Sequence, residues 1–339
     1  MKLIIDAMGG DHAPLEIVKG ALQGQKRLGV ELVLTGDEAA IMEAARKSGV
    51  ETLPAGVSIR HTTEEVTMHD DPATVFRRKK DSSMGVGLTM MKNNEGDAFI
   101  SAGSTGALLT GATLITKRVR GIRRAAMAPV IPTVTGKAVL IDCGANAECT
   151  AEYLVQFAYL GSFYAKSMLG LENPRVALLN IGTEPEKGTD LQREAYGLLR
   201  AAKDINFIGN IEAKEAVKGG CDVIVCDGFS GNVMLKTIEG VGSFAGTALK
   251  GIFKKNFLTK IAALLVMPGL NAFKAMLDPN KVGGTAFIGV SKPVLKAHGS
   301  SNAEAIENAM VQAVSFAESG FIAQMEQYAA SLVQQESNT

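Results

Sequence analysis

Several common functions are excluded by what this sequence has little of. Its 339 residues carry 35 Lys+Arg against 35 Asp+Glu, a formal net charge of zero, so it lacks the basic excess of a general nucleic-acid binder. No stretch reaches the roughly 18 consecutive apolar residues of a spanning helix. The opening Met1-Lys-Leu-Ile-Ile-Asp6 is too short and too soon charged for a signal peptide. Four cysteines, Cys143, Cys149, Cys221 and Cys226, match neither a zinc ribbon nor a redox CxxC pair, and read as small buried residues of a reducing compartment. The four histidines are far apart, which leaves little case for a metal site. Neither GxGxxG nor GxxxxGK[ST] occurs, so the fingerprints of dinucleotide and P-loop binding are missing. The expectation is a cytoplasmic protein that touches a membrane without crossing it.

What is present is a repeated plan of apolar strand, polar glycine turn and helix. The clearest case is Asp222-Val-Ile-Val-Cys-Asp-Gly-Phe-Ser-Gly-Asn-Val-Met-Leu-Lys236. A β-branched run ends in Asp227, glycines and Ser230 turn the chain, and a helical pattern begins at Asn232, with Lys236 one turn on. Strand, turn and helix N-terminus together suit an anion at the carboxyl ends of parallel strands. An ordinary βα turn would also use these residues. The plan recurs at Lys2–Asp6, followed by Gly9-Gly10 with Asp11 and His12, and at Asp97–Ser101, followed by Gly103-Ser104-Thr105-Gly106. It recurs again at Lys137–Asp142 before Cys143-Gly-Ala-Asn146, and at Arg175–Ile181 before a loop with Thr183, Glu184 and Lys187. Pro293–Ala297 opens onto His298, Gly299, Ser300 and Ser301, the serines being natural caps for a last helix over roughly 302–333. Strands separated by helices predict a parallel sheet covered on both faces, a three-layer α/β/α fold. Polar strand tops along one edge predict a ligand crevice there. A single large domain over 1–333 with a frayed tail, 334–339, is expected.

Two surface features stand apart. Arg77, Arg78, Lys79 and Lys80 follow a helix start at Asp71-Pro72; they are either a solvated face or a docking patch for an acidic partner. Over about 252–280 a basic-flanked apolar stretch places Phe257, Leu258, Ile261 and Leu265 on one helical face. A subunit interface, an interfacial membrane contact and ordinary core all remain open for it. From residue chemistry alone, anion binding followed by group transfer fits a crevice lined with lysine, hydroxyl and amide groups.

The motifs together resemble one family. Ile5-Asp-Ala-Met-Gly-Gly-Asp-His-Ala-Pro14, Ser101-Ala-Gly-Ser-Thr-Gly-Ala107 and Ile141-Asp-Cys-Gly-Ala-Asn146 are similar, in this order, to the acyl-acyl carrier protein:phosphate acyltransferases of bacterial phospholipid synthesis. So are Leu179-Asn-Ile-Gly-Thr-Glu-Pro-Glu-Lys-Gly188, Asp227-Gly-Phe-Ser-Gly-Asn-Val-Met-Leu-Lys236 and His298-Gly-Ser-Ser301. Ser104 stands where the family more often has Asn, and Thr285-Ala-Phe-Ile288 where Ala-Pro-Leu-Leu is more usual. The resemblance implies a fold like the phosphotransacetylases and isocitrate dehydrogenases, as a homodimer; the missing fingerprints and scattered histidines lead to the expectation of no cofactor and no metal. It implies inorganic phosphate attacking the thioester of an acyl carrier protein to give acyl phosphate for a membrane glycerol-3-phosphate acyltransferase. It also implies peripheral membrane association. Such chemistry needs phosphate bound and oriented and an oxyanion stabilised, not a strong base. Residue type and motif position assign Lys187, Ser300 and the N–H groups at Gly231-Asn232 to phosphate, and Asn232 or Asn146 to the oxyanion. Asp227 would orient the lysine or assist proton movement. Asp6, Asp11, His12, Ser104, Thr105, Thr183, Glu184, Ser230, Lys236, His298 and Ser301 complete the expected substrate site. Arg77 to Lys80 would dock the carrier. The rivals are a phosphate acetyl- or butyryltransferase using acyl-coenzyme A, and a non-enzymatic carrier-binding membrane scaffold.

Overall fold

The computed structural model describes residues 1–277, 281 and 283–337. The chain opens β1 (Lys2–Asp6), α1 (Leu15–Leu28), β2 (Glu31–Gly36), α2 (Glu38–Lys47), β3 (Val57–His61). Leu3, Ile4, Leu32 and Leu34 are fully buried on both faces of these strands, which is why they read as continuous apolar runs. Asp37 caps α2 by accepting from Ala40 N at 2.7 Å, and Gly29 ends α1 in the left-handed conformation (φ 66°). Next come α3 (Val75–Arg78), only four residues long, α4 (Ser83–Lys92), β4 (Ala98–Ser101) and α5 (Thr105–Gly111), which continues as a π-helical turn over Ala112–Lys117.

The second half holds β5 (Ala126–Ala128), β6 (Val130–Thr133), β7 (Gly136–Ile141), α6 (Ala151–Leu169), β8 (Arg175–Asn180) and α7 (Asp190–Ala201). A reciprocal capping box between Thr189 and Gln192 starts α7. Then follow β9 (Asn206–Glu212), α8 (Ala213–Ala216), β10 (Val223–Val225), α9 (Gly228–Lys254) and α10 (Phe257–Leu277). The chain closes with β11 (Gly284–Ile288), β12 (Val294–Ala297), α11 (Ala303–Glu318) and α12 (Phe321–Ser337). The single last helix expected from the sequence is two, broken at Gly320 with φ 70°, and Asn302, not a serine, caps the first of them.

The strands form two mostly parallel sheets, β3-β2-β1-β4-β12-β11-β5 and β6-β7-β10-β8-β9. β11 runs antiparallel to β12 and β5, and β6 antiparallel to β7. The chain steps from one sheet to the other at Pro129, between β5 and β6. There the sheets are laced along β7, with Cys143 N donating to Met127 O at 3.1 Å and Leu140 N to Pro129 O at 3.0 Å. One apolar cluster runs through both halves, from Leu3 and Ile100 to Phe157 and Val223. Burying a side chain of that size is worth roughly 1.5–3 kcal/mol. The expected α/β class is borne out.

The helical hairpin of α9 and α10 is different in kind. α10 packs back against α9, yet Phe257, Leu258 and Leu265 are 74%, 75% and 79% exposed. Phe244 and Leu264 beside them are also open to solvent. The apolar face expected over 252–280 is thus no part of this chain's own core, although its last three residues lie outside the described residues. No described helix is long and apolar enough to cross a membrane.

Candidate functional site

The carboxyl ends of the parallel strands open onto a cleft of about 740 Å³ between the two sheets. Its lining mixes apolar side chains, Met8, Val66, Met127, Ile131, Leu235 and Ile238, with polar ones, Asp11, Ser104, Thr105, Asn232, Lys236, Glu239, Lys296 and His298. Polar groups set among apolar ones suit a ligand that is an anion at one end and a chain at the other.

Close backbone approaches set this geometry. A Cβ on Gly9 would lie 2.6 Å from an Asp6 carboxylate oxygen and 2.7 Å from Gly103 N, so only glycine lets the turn after β1 meet the turn after β4. Asp6, buried beneath them, accepts from Ser101 Oγ at 2.7 Å and Met8 N at 3.2 Å; burial raises its carboxyl above the ordinary value, against those hydrogen bonds. The turn after β1 also locks to β12, through Asp11 N donating to Gly299 O at 2.8 Å. Across the cleft, a Cβ on Gly231 would fall 2.0 Å from Asp142 O. Its absence lets the first turn of α9 press on β7 and carry Asn232 into the lining.

Asp142 is the clamp of the second sheet. One oxygen accepts from Met127 N (2.9 Å), Cys143 N (2.7 Å) and Ala145 N (3.3 Å). The other accepts from Asn146 N at 2.6 Å and Asn146 Nδ2 at 2.9 Å. Burial raises its carboxyl, and the hydrogen bonds from Met127, Asn146 and Cys143 oppose the rise. One side chain thus ties β5 to the β7 turn, where Gly144 and Cys143 line the cleft.

The structure sorts the residues expected from the sequence. Asp11, Ser104, Thr105, Asn232, Lys236 and His298 come together in the cleft. Asn232 is exposed, beside Gly144, and its amide has no hydrogen-bond partner among the described residues. Lys236 pairs with Glu239 at 2.7 Å. Asn146 lies next to the cleft with both amide hydrogens engaged, on Asp142 and on Ala125 O at 2.8 Å. The turn placed at Asp227–Gly231 is in fact the first turn of α9. Asp227 is its N-cap, accepting from Ser230 N at 2.8 Å and Ser230 Oγ at 2.7 Å. Ser300 Oγ lies 2.8 Å from His298 Nδ1. Ser301 is buried with its hydroxyl unpartnered among the described residues. His12 sits on the exposed entry to α1, outside the lining. Thr183, Glu184 and Lys187 are exposed on the loop after β8, one strand from β10, and do not line the cleft.

Within the basic cluster, Arg77, Arg78 and Lys80 are exposed. Lys79 is not one of that kind: its ammonium donates to Glu65 O at 2.9 Å and to the Asp70 carboxylate at 2.7 Å. That ammonium holds Asp70 down to about 2 and fixes the loop whose residues 65–68 wall the cleft.

Sequence reasoning missed Lys296, Glu239 and Cys143. Lys296 is 8% exposed in a strand whose neighbours Val294, Leu295 and Ala297 are fully buried. A lysine near the carboxyl end of an otherwise apolar buried strand was the available signal. Burial lowers its ammonium to about 8. Burial and the nearby Lys236 lower the His298 imidazole as well. Burial pushes the Cys143 thiol up to about 12, so near neutral pH it is protonated and a poor nucleophile. Among the described residues no group of His, Cys, Asp and Glu could hold a metal ion.

A family described as fatty acid synthesis protein matches residues 1–324. The phosphate acyltransferase of Alkaliphilus oremlandii is 48% identical over 316 residues, 93% of each chain. That of Oceanobacillus iheyensis is 46% identical over 314 residues, 92% of each. The chain belongs to the phosphate acyltransferase family. In three dimensions this member of the family resembles the EutD phosphotransacetylase from Staphylococcus aureus, with a TM-score of 0.61 at 16% identity over 94% of each chain. A 4-hydroxythreonine-4-phosphate dehydrogenase from Klebsiella pneumoniae aligns at 0.54 and 12% identity over 94% of this chain and 99% of that one. At such identities the likeness concerns the fold alone. The family and the phosphotransacetylase-like fold read from the motifs are both borne out.

Proposed function

We propose that the chain transfers the acyl group of an acyl-[acyl carrier protein] to inorganic phosphate, giving acyl phosphate and free carrier. The observation that carries this reading is the cleft itself, lined by polar strand-top groups and apolar side chains together, with a protonated thiol instead of a ready protein nucleophile. A phosphate oxygen attacks the thioester carbon directly, the carbon–sulfur bond breaks, and the thiolate leaves and takes a proton from solvent. Phosphate is already anionic near neutral pH, so the protein's task is to bind, align and stabilise. Asn232, with its free amide in the lining, donates to the carbonyl oxygen as negative charge develops there. The apolar lining groups Met127, Ile131, Leu235 and Ile238 take the chain beyond the thioester. Lys187 and Ser300 lie outside the lining, and Lys187→Ala decides the lysine's role: a raised phosphate KM brings it to the phosphate, an unchanged one removes it from the site.

Arg77, Arg78 and Lys80 dock the acidic carrier, close to the cleft wall that Lys79 fixes. The exposed face of α10 serves a homodimer or a peripheral membrane contact, which would bring acyl phosphate to a membrane glycerol-3-phosphate acyltransferase. The test is incubation with phosphate and either palmitoyl-carrier protein or palmitoyl-coenzyme A, with acyl phosphate separated from the thioester by chromatography. Product from the carrier thioester supports the reading. Product from the coenzyme A thioester alone would replace it with the acyl-coenzyme A alternative.

A further inference from the structure

Among the described residues that line the cleft, one cation has no counter-ion. Lys236 has Glu239, and Lys79, on the far side of the wall, has Asp70. Lys296 has no carboxylate within ion-pair distance among the described residues. Its ammonium donates to two main-chain oxygens, Ala102 O at 3.2 Å and Ala297 O. An ammonium has three hydrogens, so one remains unused where the side chain meets the cleft. A buried charge held only by neutral carbonyls is a poor bargain for the fold, and an arriving anion would complete it.

The surroundings fit that anion. Ala102, whose oxygen anchors the ammonium, leads into Gly103, Ser104 and Thr105, all in the lining. Ser104 caps α5 by accepting from Ala107 N, while the Thr105 hydroxyl has no hydrogen-bond partner among the described residues. Charged and titratable groups face Lys296 from several elements: Asp6 at the end of β1, Asp11 in the turn after it, Lys236 on α9 and His298 after β12. Asp6 is turned to Ser101 and Met8, and Asp11 lies against Gly299. Neither reaches the ammonium.

We propose that Lys296 binds the inorganic phosphate that attacks the thioester, through the ammonium hydrogen its two main-chain partners leave unused. This rests on the acyl-to-phosphate reading above and makes Lys296 a catalytic residue. A phosphate held between Lys296 and the Ser104-Thr105 turn would share the cleft with Asn232, the proposed donor to the thioester carbonyl. A phosphoryl group of the donor's pantetheine arm offers the same chemistry to this contact, and the two sources separate kinetically.

The test compares wild type with Lys296→Met and Lys296→Arg, each first shown by circular dichroism and a cooperative melt to be folded. Phosphate affinity is read by calorimetric titration with inorganic phosphate alone, and kinetics by acyl phosphate formation from palmitoyl-carrier protein over pH about 6.5 to about 9.5. Lys296→Met should weaken phosphate binding and raise phosphate KM by roughly 30- to 100-fold, the loss of a charge-assisted contact, with the donor KM little changed. In wild type, kcat/KM for phosphate should fall above pH about 8 as the ammonium loses its proton. That limb should vanish in Lys296→Arg, whose guanidinium does not titrate in this range, while phosphate still binds. A donor KM that rises in place of the phosphate KM would move Lys296 to the pantetheine phosphoryl and overturn the proposal. So would a folded Lys296→Met that keeps phosphate affinity, or a Lys296→Arg that keeps the alkaline limb. If wild type forms no acyl phosphate, the transfer reading fails, and calorimetry still decides whether Lys296 holds phosphate.

Discussion

Replacing Asp142 by Asn probes how the two sheets are held across the cleft. The carboxylate accepts five hydrogen bonds, three on one oxygen and two on the other. An asparagine keeps one oxygen and turns an NH2 toward the other set of donors. The better flip keeps Met127 N, Cys143 N and Ala145 N, and leaves Asn146 N and its amide facing hydrogen. Rotating the Asn146 amide would restore one contact but lose its bond to Ala125 O. Two buried donors without acceptors cost about 1–3 kcal/mol each, and removing a buried charge returns part of that. A net loss of roughly 3 kcal/mol follows. Urea unfolding followed by far-UV circular dichroism reads it as a lower midpoint at unchanged slope. Phosphate KM should rise as well, because the strand seam that shapes the lining loosens. A stability within about 0.5 kcal/mol of wild type would mean the clamp contributes little, and the account of how β5 and β7 are joined would be wrong.

Four other outcomes are expected. Asn232→Ala should lower kcat by roughly 10²- to 10³-fold, as loss of an oxyanion donor does, with the melting temperature unchanged because the residue is exposed. Reversing Arg77 and Arg78 to Glu should raise the carrier-protein KM and flatten its salt dependence, whereas Lys79→Ala should disturb the 65–68 wall and affect every acyl donor. Leu258→Glu with Ile261→Glu should release the protein from anionic vesicles in a flotation assay; loss of the dimer in sedimentation instead would assign the face to subunit contact. For Lys296 the linkage sign is that of a group whose folded value, about 8, lies below its ordinary 10.5. The unfolded chain binds the extra proton between those values, so the cost is full below pH about 8 and disappears as pH rises to about 10.5. At about 1.4 kcal/mol per pH unit the cost is at most roughly 3 kcal/mol, and Lys296→Met should be more stable than wild type at neutral pH while being less active.

The strands were legible where their sequence was apolar and ended in a polar turn: β1, β4, β7, β8, β10 and β12 lie where those runs predict. β5 and β6 were not, since Ala126–Ala128 is short and Pro129 and Pro132 interrupt the pattern; proline is tolerated there because β6 is an edge strand. The helix start at Gly228 was hidden for a related reason. Gly-Phe-Ser-Gly has poor helix propensity, and only the Asp227 cap and the close packing of Gly231 on Asp142 make it helical. In the site, Asp11, Ser104, Thr105, Asn232, Lys236 and His298 could be read because turn residues cluster at strand tops. Lys296 could not, because it lies one residue inside its strand, where the pattern speaks of core. Lys79 looked like one more surface cation until its partner Asp70, nine residues earlier, was brought beside it.

The most direct measurement is a paired product assay with wild-type protein, palmitoyl-carrier protein and inorganic phosphate. Acyl phosphate, separated from the thioester by chromatography, should appear in step with free carrier thiol, and neither should form when phosphate is omitted. Thiol released without acyl phosphate, or at the same rate with no phosphate present, would show that water and not phosphate is the acceptor and would contradict the account.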